Sequence, residues 1–509
     1  MANKRISELA NSAPLTGTEL VPIVQGAETL KTTTQDIADL GGGGGLFEEG
    51  SGGSLSTQRV GSGTASGYEC TISGGSGNTA SGGYNTVSGG KDNNATGGYG
   101  STIGGGSFNT TSGAFSIIGG GHNNGSSGLG STVGGGGSNT ASGDYSIIGG
   151  GSQNGASTSY STVGGGYQNN ASGEKSTIGG GYGHIASDYA CTVAGGYNNE
   201  ASGNVSTVGG GDNCRSQGSW STISGGFNNQ ATANNSTVSG GAFCLATQLN
   251  ATVGGGGSNN ASGQFSTIAG GNTNGASATN STVGGGQNNT ASANDSTIGG
   301  GVGNTASGLR ATIGGGRDNN VNGDDSFIGG GVLNTASGED SFIGGGIDNT
   351  TNGDNSTISG GVNNTTSNTN TTIGGGWYNI ASATNSTVGG GNRNTASGSG
   401  STIGGGQRNT ASQYFNTVAG GYNNEASGSI SIVGGGYFNI ASASISSILG
   451  GQFNNTSTFD NSHIIGSNIT SDRTNSTFVE NLSIKSIPTS AAGLPSGSVW
   501  SNGGVLNIV

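Results

Sequence analysis

The sequence predicts an all-β fold: a parallel β-solenoid, or β-roll, of about 26 coils with a 15-residue period, assembled as a parallel homotrimer. Three observations predict it. A fifteen-residue unit recurs from residue 70 to residue 460. One slot of that unit is β-branched in every copy, and two later slots are Gly-Gly in every copy. A further slot is Asn in all but three copies.

The units align on the Val or Ile that usually follows Thr. These marks fall at Ile72 and Val87, then at Ile103, Ile118, Val133 and every fifteenth residue to Ile448. The one irregular step, Val87 to Ile103, is sixteen residues. Each unit reads S-T-[VI]-x-G-G-x-x-N-x-A-S-G-x-x. Slots one to four favour a short strand with Thr outward and Val or Ile inward. Gly-Gly at slots five and six supplies backbone angles that only glycine reaches cheaply. Slots ten to twelve form a second strand with a small residue inward at slot eleven, and the Gly of slot thirteen starts the return turn. Two strands and two turns close one coil, and coils stack at about 4.8 Å. The Asn of slot nine then falls in a column, where each side-chain amide can bond to the next, as in other stacked-strand ladders. The exceptions are His184, Cys214 and Cys244.

The energetics suggest association. Burying one Val or Ile gains roughly 1.5–3 kcal/mol, whereas ordering each residue's backbone costs roughly 1–2 kcal/mol. A coil with one aliphatic side chain does not cover that cost. The expectation is therefore that three chains set their aliphatic columns against a shared axis, with closed symmetry.

Composition removes other classes. Gly accounts for 115 of 509 residues, which excludes a mainly helical protein. Gly does not recur every third residue and Pro numbers only 4, which excludes collagen. The net charge of -13 does not suit a phosphate backbone, so nucleic acid is not an expected partner. No apolar run of about 18 residues exists, so no membrane insertion is expected. The opening "MANKRISELANSAPLTG" lacks a secretory h-region, and synthesis in a host cytoplasm without general secretion is expected.

The units "STVGGG" and "NTASG", across residues 70–460, resemble the head of trimeric autotransporter adhesins, which implies a trimeric parallel β-roll. Residues 4–40, through "ISEL", "LTGTELVPIVQ" and "KTTTQDI", look like the N-terminal segment of bacteriophage tail fibres. The closing "GLPSGSVWSNGGVLNIV" is similar to a module that ends many phage structural proteins. These likenesses imply a virion fibre. Residues 1–40 would then be the virion-attachment module, with "ELVPIVQ" a strand and "TTTQDIADL" a short helix. Residues 41–69 would be a Gly-rich linker and an imperfect opening coil, in which "TASG" at 64–67 already matches slots ten to thirteen. Residues 70–460 would be the repeat solenoid, and 461–509 a capping region that covers its open edge.

Chemistry-bearing residues are few. His122, His184 and His463 sit in different coil environments with no nucleophile motif beside them, and no G-K-[ST] follows the Gly runs, so no enzyme is expected. Asp324, Asp325, Glu339, Asp340 and Asp354, with Asp295, occupy slots fourteen and fifteen. Stacked carboxylates repel, and a Ca²⁺ ion could bridge them; a solvated acidic edge is the competing reading. No other cofactor is expected. Slot seven is often aromatic, at Tyr167, Tyr182, Tyr197, Phe227, Trp377, Tyr422 and Tyr437. Such rings can stack on sugars or cover the Gly turn of a neighbouring chain. Cys70, Cys191, Cys214 and Cys244 are too far apart in the coil scheme for disulfides.

The expected function is a structural fibre of a bacteriophage virion. Its expected partners are itself, other virion proteins through residues 1–40, and a host-surface glycan. Two alternatives are a bacterial trimeric adhesin head and an ice-binding β-solenoid. The outward Thr of slot two prompts the latter, but Ile117, Ile147, Phe327, Phe342 and Ile432 interrupt that plane.

Overall fold

The computed structural model describes residues 20–25, 28–33, 47–49, 57–59, 63–483, 486–502 and 505–508. Among the described residues every regular element is a strand and none is a helix. The chain divides into two units, residues 1–276 and 277–509. Both are built from the same coil, a parallel β-solenoid of fifteen-residue period.

Slots two and three form one strand and slots ten and eleven the other. Each pairs in parallel with the same slots one coil on. In the first unit Thr162 and Val163 face Thr177 and Ile178, and Asn170 and Ala171 face Ile185 and Ala186. In the second unit Thr372 and Ile373 face Thr387 and Val388. A third ladder, absent from the sequence reading, runs through slot seven as single parallel bridges, for example Tyr167 to Tyr182 to Tyr197. It forms because the chain leaves the Gly-Gly turn extended for one residue. It then enters a left-handed residue at slot eight, such as Gln168 at φ 56.

Five slots point inward. In one coil these are Ser161, Val163, Asn169, Ala171 and Gly173, all buried. The Ser of slot one is inward because it flanks the outward Thr on a two-residue period. In many coils its hydroxyl donates to the carbonyl three residues earlier, as when Ser131 Oγ donates to Gly128 O at 2.9 Å. Cys70 and Cys191 take this slot, Cys214 and Cys244 take slot nine, and all four are free and buried. The slot-three side chains, from Ile72 to Ile448, have no exposed surface within their own chain. A shared axis built from these columns is thereby corrected. Ser, Asn, Ala and Gly fill the rest of each coil's interior, so the aliphatic column is already covered.

Slot six is glycine for two reasons visible at Gly166. Its φ is +91, and a Cβ there would lie 2.1 Å from the carbonyl oxygen of Gly181 in the next coil. The Asn column forms as expected and does more. Asn334 Nδ2 donates to Asn319 Oδ1 at 3.1 Å, to Gly330 O at 3.0 Å and to Gly346 O at 3.0 Å. Its Oδ1 accepts the backbone N–H of Asn349 at 3.0 Å. Each Asn thus ties together both glycine turns and the neighbouring Asn in a site with no water access, where unpaired groups are costly.

At the start of the first unit, β1 (Leu20–Gln25) and β2 (Glu28–Thr33) pair antiparallel. β1 is the strand expected from "ELVPIVQ". The expected helix over residues 32–40 does not begin where proposed, because Thr32 and Thr33 belong to β2, where β-branched residues favour pairing; its remainder lies outside the described residues. β3 (Phe47–Glu49) pairs antiparallel with β4 (Thr57–Arg59). Three further strands complete the opening of the solenoid: β5 (Gly63–Ala65), β6 (Thr71–Ile72) and β7 (Asn78–Ala80). β4 joins β6 in parallel, and β5 joins β7 with Thr64 opposite Thr79 and Ala65 opposite Ala80. The sixteen-residue step is absorbed at Gly97–Gly98, between the strand at Asn94–Ala95 and the bridge of Gly83 to Tyr99, so Val87 and Ile103 remain in register.

In the second unit the first ladder continues past Ile448. Ser447 and Ile448 face His463 and Ile464, and Ser462–Ile465 then pairs in parallel with Ser476–Val479. An antiparallel hairpin of Val499–Asn502 and Val505–Ile508 follows.

Candidate functional site

With the interior fixed, chemistry is left to the outward slots. The two sheet faces present slots two, ten and twelve. The corners present slots seven and eight, and fourteen and fifteen. Slots eight and fifteen are at positive φ, mostly in non-glycine residues such as Arg393 (φ 56) and Phe415 (φ 54), and in Gly77, Gly100, Gly130, Gly183, Gly303 and Gly400 otherwise. These corners carry most of the charged and aromatic side chains.

The acidic residues lie at slots fourteen and fifteen as expected, but most have partners other than a cation. Asp324 Oδ1 accepts the backbone N–H of Leu309, one coil back, at 2.8 Å. Asp354 Oδ1 does the same for Glu339 N at 3.0 Å, and Asp144 for Leu129 N at 3.0 Å. A slot-fourteen carboxylate therefore caps the preceding coil's corner. Asp325 forms a two-pronged pair with Arg310, which holds its carboxyl below the usual carboxylate range. Asp340 donates its backbone N–H to Asp324 O, and Asp295 Oδ1 accepts from Asn280 Nδ2 at 3.0 Å. Among the described residues no group of three or more His, Cys, Asp and Glu is arranged to hold a metal ion. Asp324, Asp325, Glu339, Asp340 and Asp354, the residues suggested for a Ca²⁺ ion, follow one another along this corner at slots fourteen and fifteen.

The histidines divide by slot. His184 is fully buried in the Asn column, and its Nδ1 accepts the backbone N–H of Asn199 at 3.0 Å. The proton is therefore on Nε2, and burial pushes the imidazole pKa down. His122, at slot seven, lies 3.0 Å from Ser107 Oγ. His463 lies 2.8 Å from Ser447 Oγ through Nδ1 and 3.2 Å from Asn461 Oδ1 through Nε2. This trio was missed in the sequence because Ser447 and His463 are joined only by strand register. Asn461 is neutral and cannot stabilise an imidazolium as a carboxylate does.

The aromatic corners form ladders within the chain. Tyr182 and Tyr197 stack at 4.9 Å with planes 8° apart, and Tyr167 lies 5.3 Å from Tyr182. Tyr422 and Tyr437 stack at 5.2 Å and 14°, and Phe438 and Phe453 at 5.6 Å and 18°. A second corner carries Tyr68, Tyr84, Tyr99 and Phe115 in sequence. The rings lean on the next coil of their own chain, a role not foreseen in the sequence. Their outer edges stay open, with Tyr437 43% and Trp377 59% exposed. On the slot-two face the interruptions Ile117 and Ile147 are exposed, and Phe327 and Phe342 stack at 5.5 Å.

The ubiquitous surface protein adhesin repeat model matches residues 191–203, 221–232 and 416–428. Each match opens at slot one, at Cys191, Ser221 and Asn416, and stops at slot twelve or thirteen of that coil. The chain thus carries adhesin-type repeats in both units. No curated protein matches the chain.

Proposed function

We propose that this chain is a non-catalytic adhesive surface fibre whose solenoid holds binding residues on its corners. The observation that carries this reading is the adhesin repeat matching three coils, each from slot one. Every inward position is given to structure, and the variable residues are left outward. The finer reading is a bacteriophage virion fibre that joins the particle through residues 1–40, supported by the likeness of "LTGTELVPIVQ" and "GLPSGSVWSNGGVLNIV" to phage fibre segments. The adhesin matches favour a second reading, a bacterial surface adhesin. Labelling purified virions and intact cells with antibody against the solenoid separates the two. Label on particles, lost when residues 1–40 are deleted, supports the virion; label on uninfected cells supports the adhesin; absence from both refutes the adhesive fibre.

A homotrimer is part of the proposal. With slot three closed inside each chain, the contacts between chains would come from outward slots. Sedimentation of the intact chain as a trimer is the expected result, and a monomer at working concentration refutes it.

A further inference from the structure

Eight Lys and Arg side chains are described, and six of them pair with a carboxylate: Lys91, Lys175, Arg215, Arg310, Arg317 and Arg473. Arg393 and Arg408 do not. They occupy slot eight of adjacent coils in the second unit, both exposed, in a chain of net charge -13. Two like charges held one coil apart, about 4.8 Å along the ladder, repel unless an anion lies between them.

Aromatic rings set the direction of both. Arg393 lies over the Tyr378 ring at 5.4 Å, and Arg408 Nη1 donates to Tyr422 Oη at 3.2 Å. Beside Arg408 is a cleft of about 100 Å³ whose wall includes Thr410, Asn423, Glu425 and Phe438. The next coils continue the corner with Tyr437 and Phe453. Guanidinium forks recognise carboxylates, ring edges and faces suit the apolar faces of sugars, and Thr, Asn and Glu pair with hydroxyls.

We propose that this corner, from Tyr378 to Phe453, binds a linear glycan containing carboxylate-bearing sugars. The carboxylates sit on Arg393 and Arg408, and the chain runs along the solenoid axis over the rings. The inference rests on the adhesive reading above and supplies its ligand class. The coil repeat lets successive sugars meet successive coils, so affinity should grow with oligomer length.

The test uses the full chain, oligogalacturonates of increasing length, their methyl esters, and an oligothymidylate, with binding read by calorimetry. Expected results are binding that strengthens with length and at least tenfold weaker binding of the methyl esters. R393Q/R408Q should lose at least tenfold while its circular dichroism spectrum stays unchanged. Equal binding of acid and ester, an unaffected double variant, or oligothymidylate binding as tightly as the glycan would each overturn the proposal. So would failure of every acidic glycan to bind. Antibody labelling of the double variant on its particle or cell is a separate readout. Surface display without acidic-glycan binding rejects this ligand and leaves the fibre reading intact, whereas absence of display rejects the fibre itself.

Discussion

Replacing Asn334 with Ala removes one rung of the buried amide column and tests what holds neighbouring coils in register. Three donated hydrogen bonds and two accepted bonds disappear, the second accepted one from Asn349 Nδ2 at 3.0 Å. Their losses are unequal. Gly346 O still accepts the N–H of Val332 at 2.9 Å, and Asn319 Oδ1 still accepts the N–H of Asn334 at 3.0 Å. The backbone N–H of Asn349 loses the acceptor that Asn334 supplied in a fully buried site. An orphaned buried donor costs about 1–3 kcal/mol, and each lost but compensated bond about 0.5–1.5 kcal/mol. The total is at least about 3 kcal/mol, concentrated in two or three coils because each coil touches only its neighbours. Hydrogen exchange followed by mass spectrometry should show the peptide containing Asn349 losing protection by two or more orders of magnitude, with remote coils unchanged. Asn334→His should lose less, because His184 Nδ1 already performs this acceptance for Asn199. Unchanged exchange at Asn349 in the Ala variant would refute the claim that the amide column, rather than the strands alone, fixes the coils.

The other expectations follow from single atoms. Val208→Asp places an unpaired charge in a fully closed interior, at a cost of several kcal/mol, and should abolish the folded circular dichroism signal of the first unit; Asn213→Asp, outward at slot eight, should melt like the parent. Gly166→Ala meets the Gly181 carbonyl at 2.1 Å and should prevent soluble expression, whereas Gly165→Ala, with open space around it, should express and melt like the parent. His184 is neutral and its pKa is lowered by burial, so the unfolded chain takes up a proton first as pH falls. Its stabilising contribution is complete above the unfolded value of about 6.5 and is lost as pH falls from there through the depressed folded pKa. Exchange of the peptide holding Asn199 should therefore quicken between pH 7 and pH 5 relative to that holding Asn349, and equal responses would contradict it.

The period, the inward Val or Ile and the Asn column were legible because each coil repeats the same physical demand, so a slot that cannot vary stands out. Slot seven was not legible as a ladder position. Its contact is backbone only, and it accepts Tyr167, His122, Gly137 or Asp212 equally. The inward Ser of slot one was hidden by its polarity; the hydroxyl's bond to its own turn makes it a core residue. The backbone bonds of the acidic column were hidden for a related reason. Asp324 and Asp354 bond to backbone one coil back, which sequence spacing alone does not reveal. The unpaired arginines had a signal that could have found them. Arg310 has a carboxylate fifteen residues on and Arg215 one fifteen residues back, whereas the residues fifteen away from Arg393 are Tyr378 and Arg408.

The strict register of the ladders has a genetic consequence. A whole coil removed from within one unit leaves slot fifteen followed by slot one, with the same carbonyl and amide facing each other across the cut. In-frame loss or gain of whole repeats is therefore structurally neutral, while loss of a single codon within a strand shifts the alternation of inward and outward side chains there. Populations of this gene should differ in repeat number long before they differ in slots three, six and nine, with single-residue insertions confined to corners such as the one that holds Gly97 and Gly98.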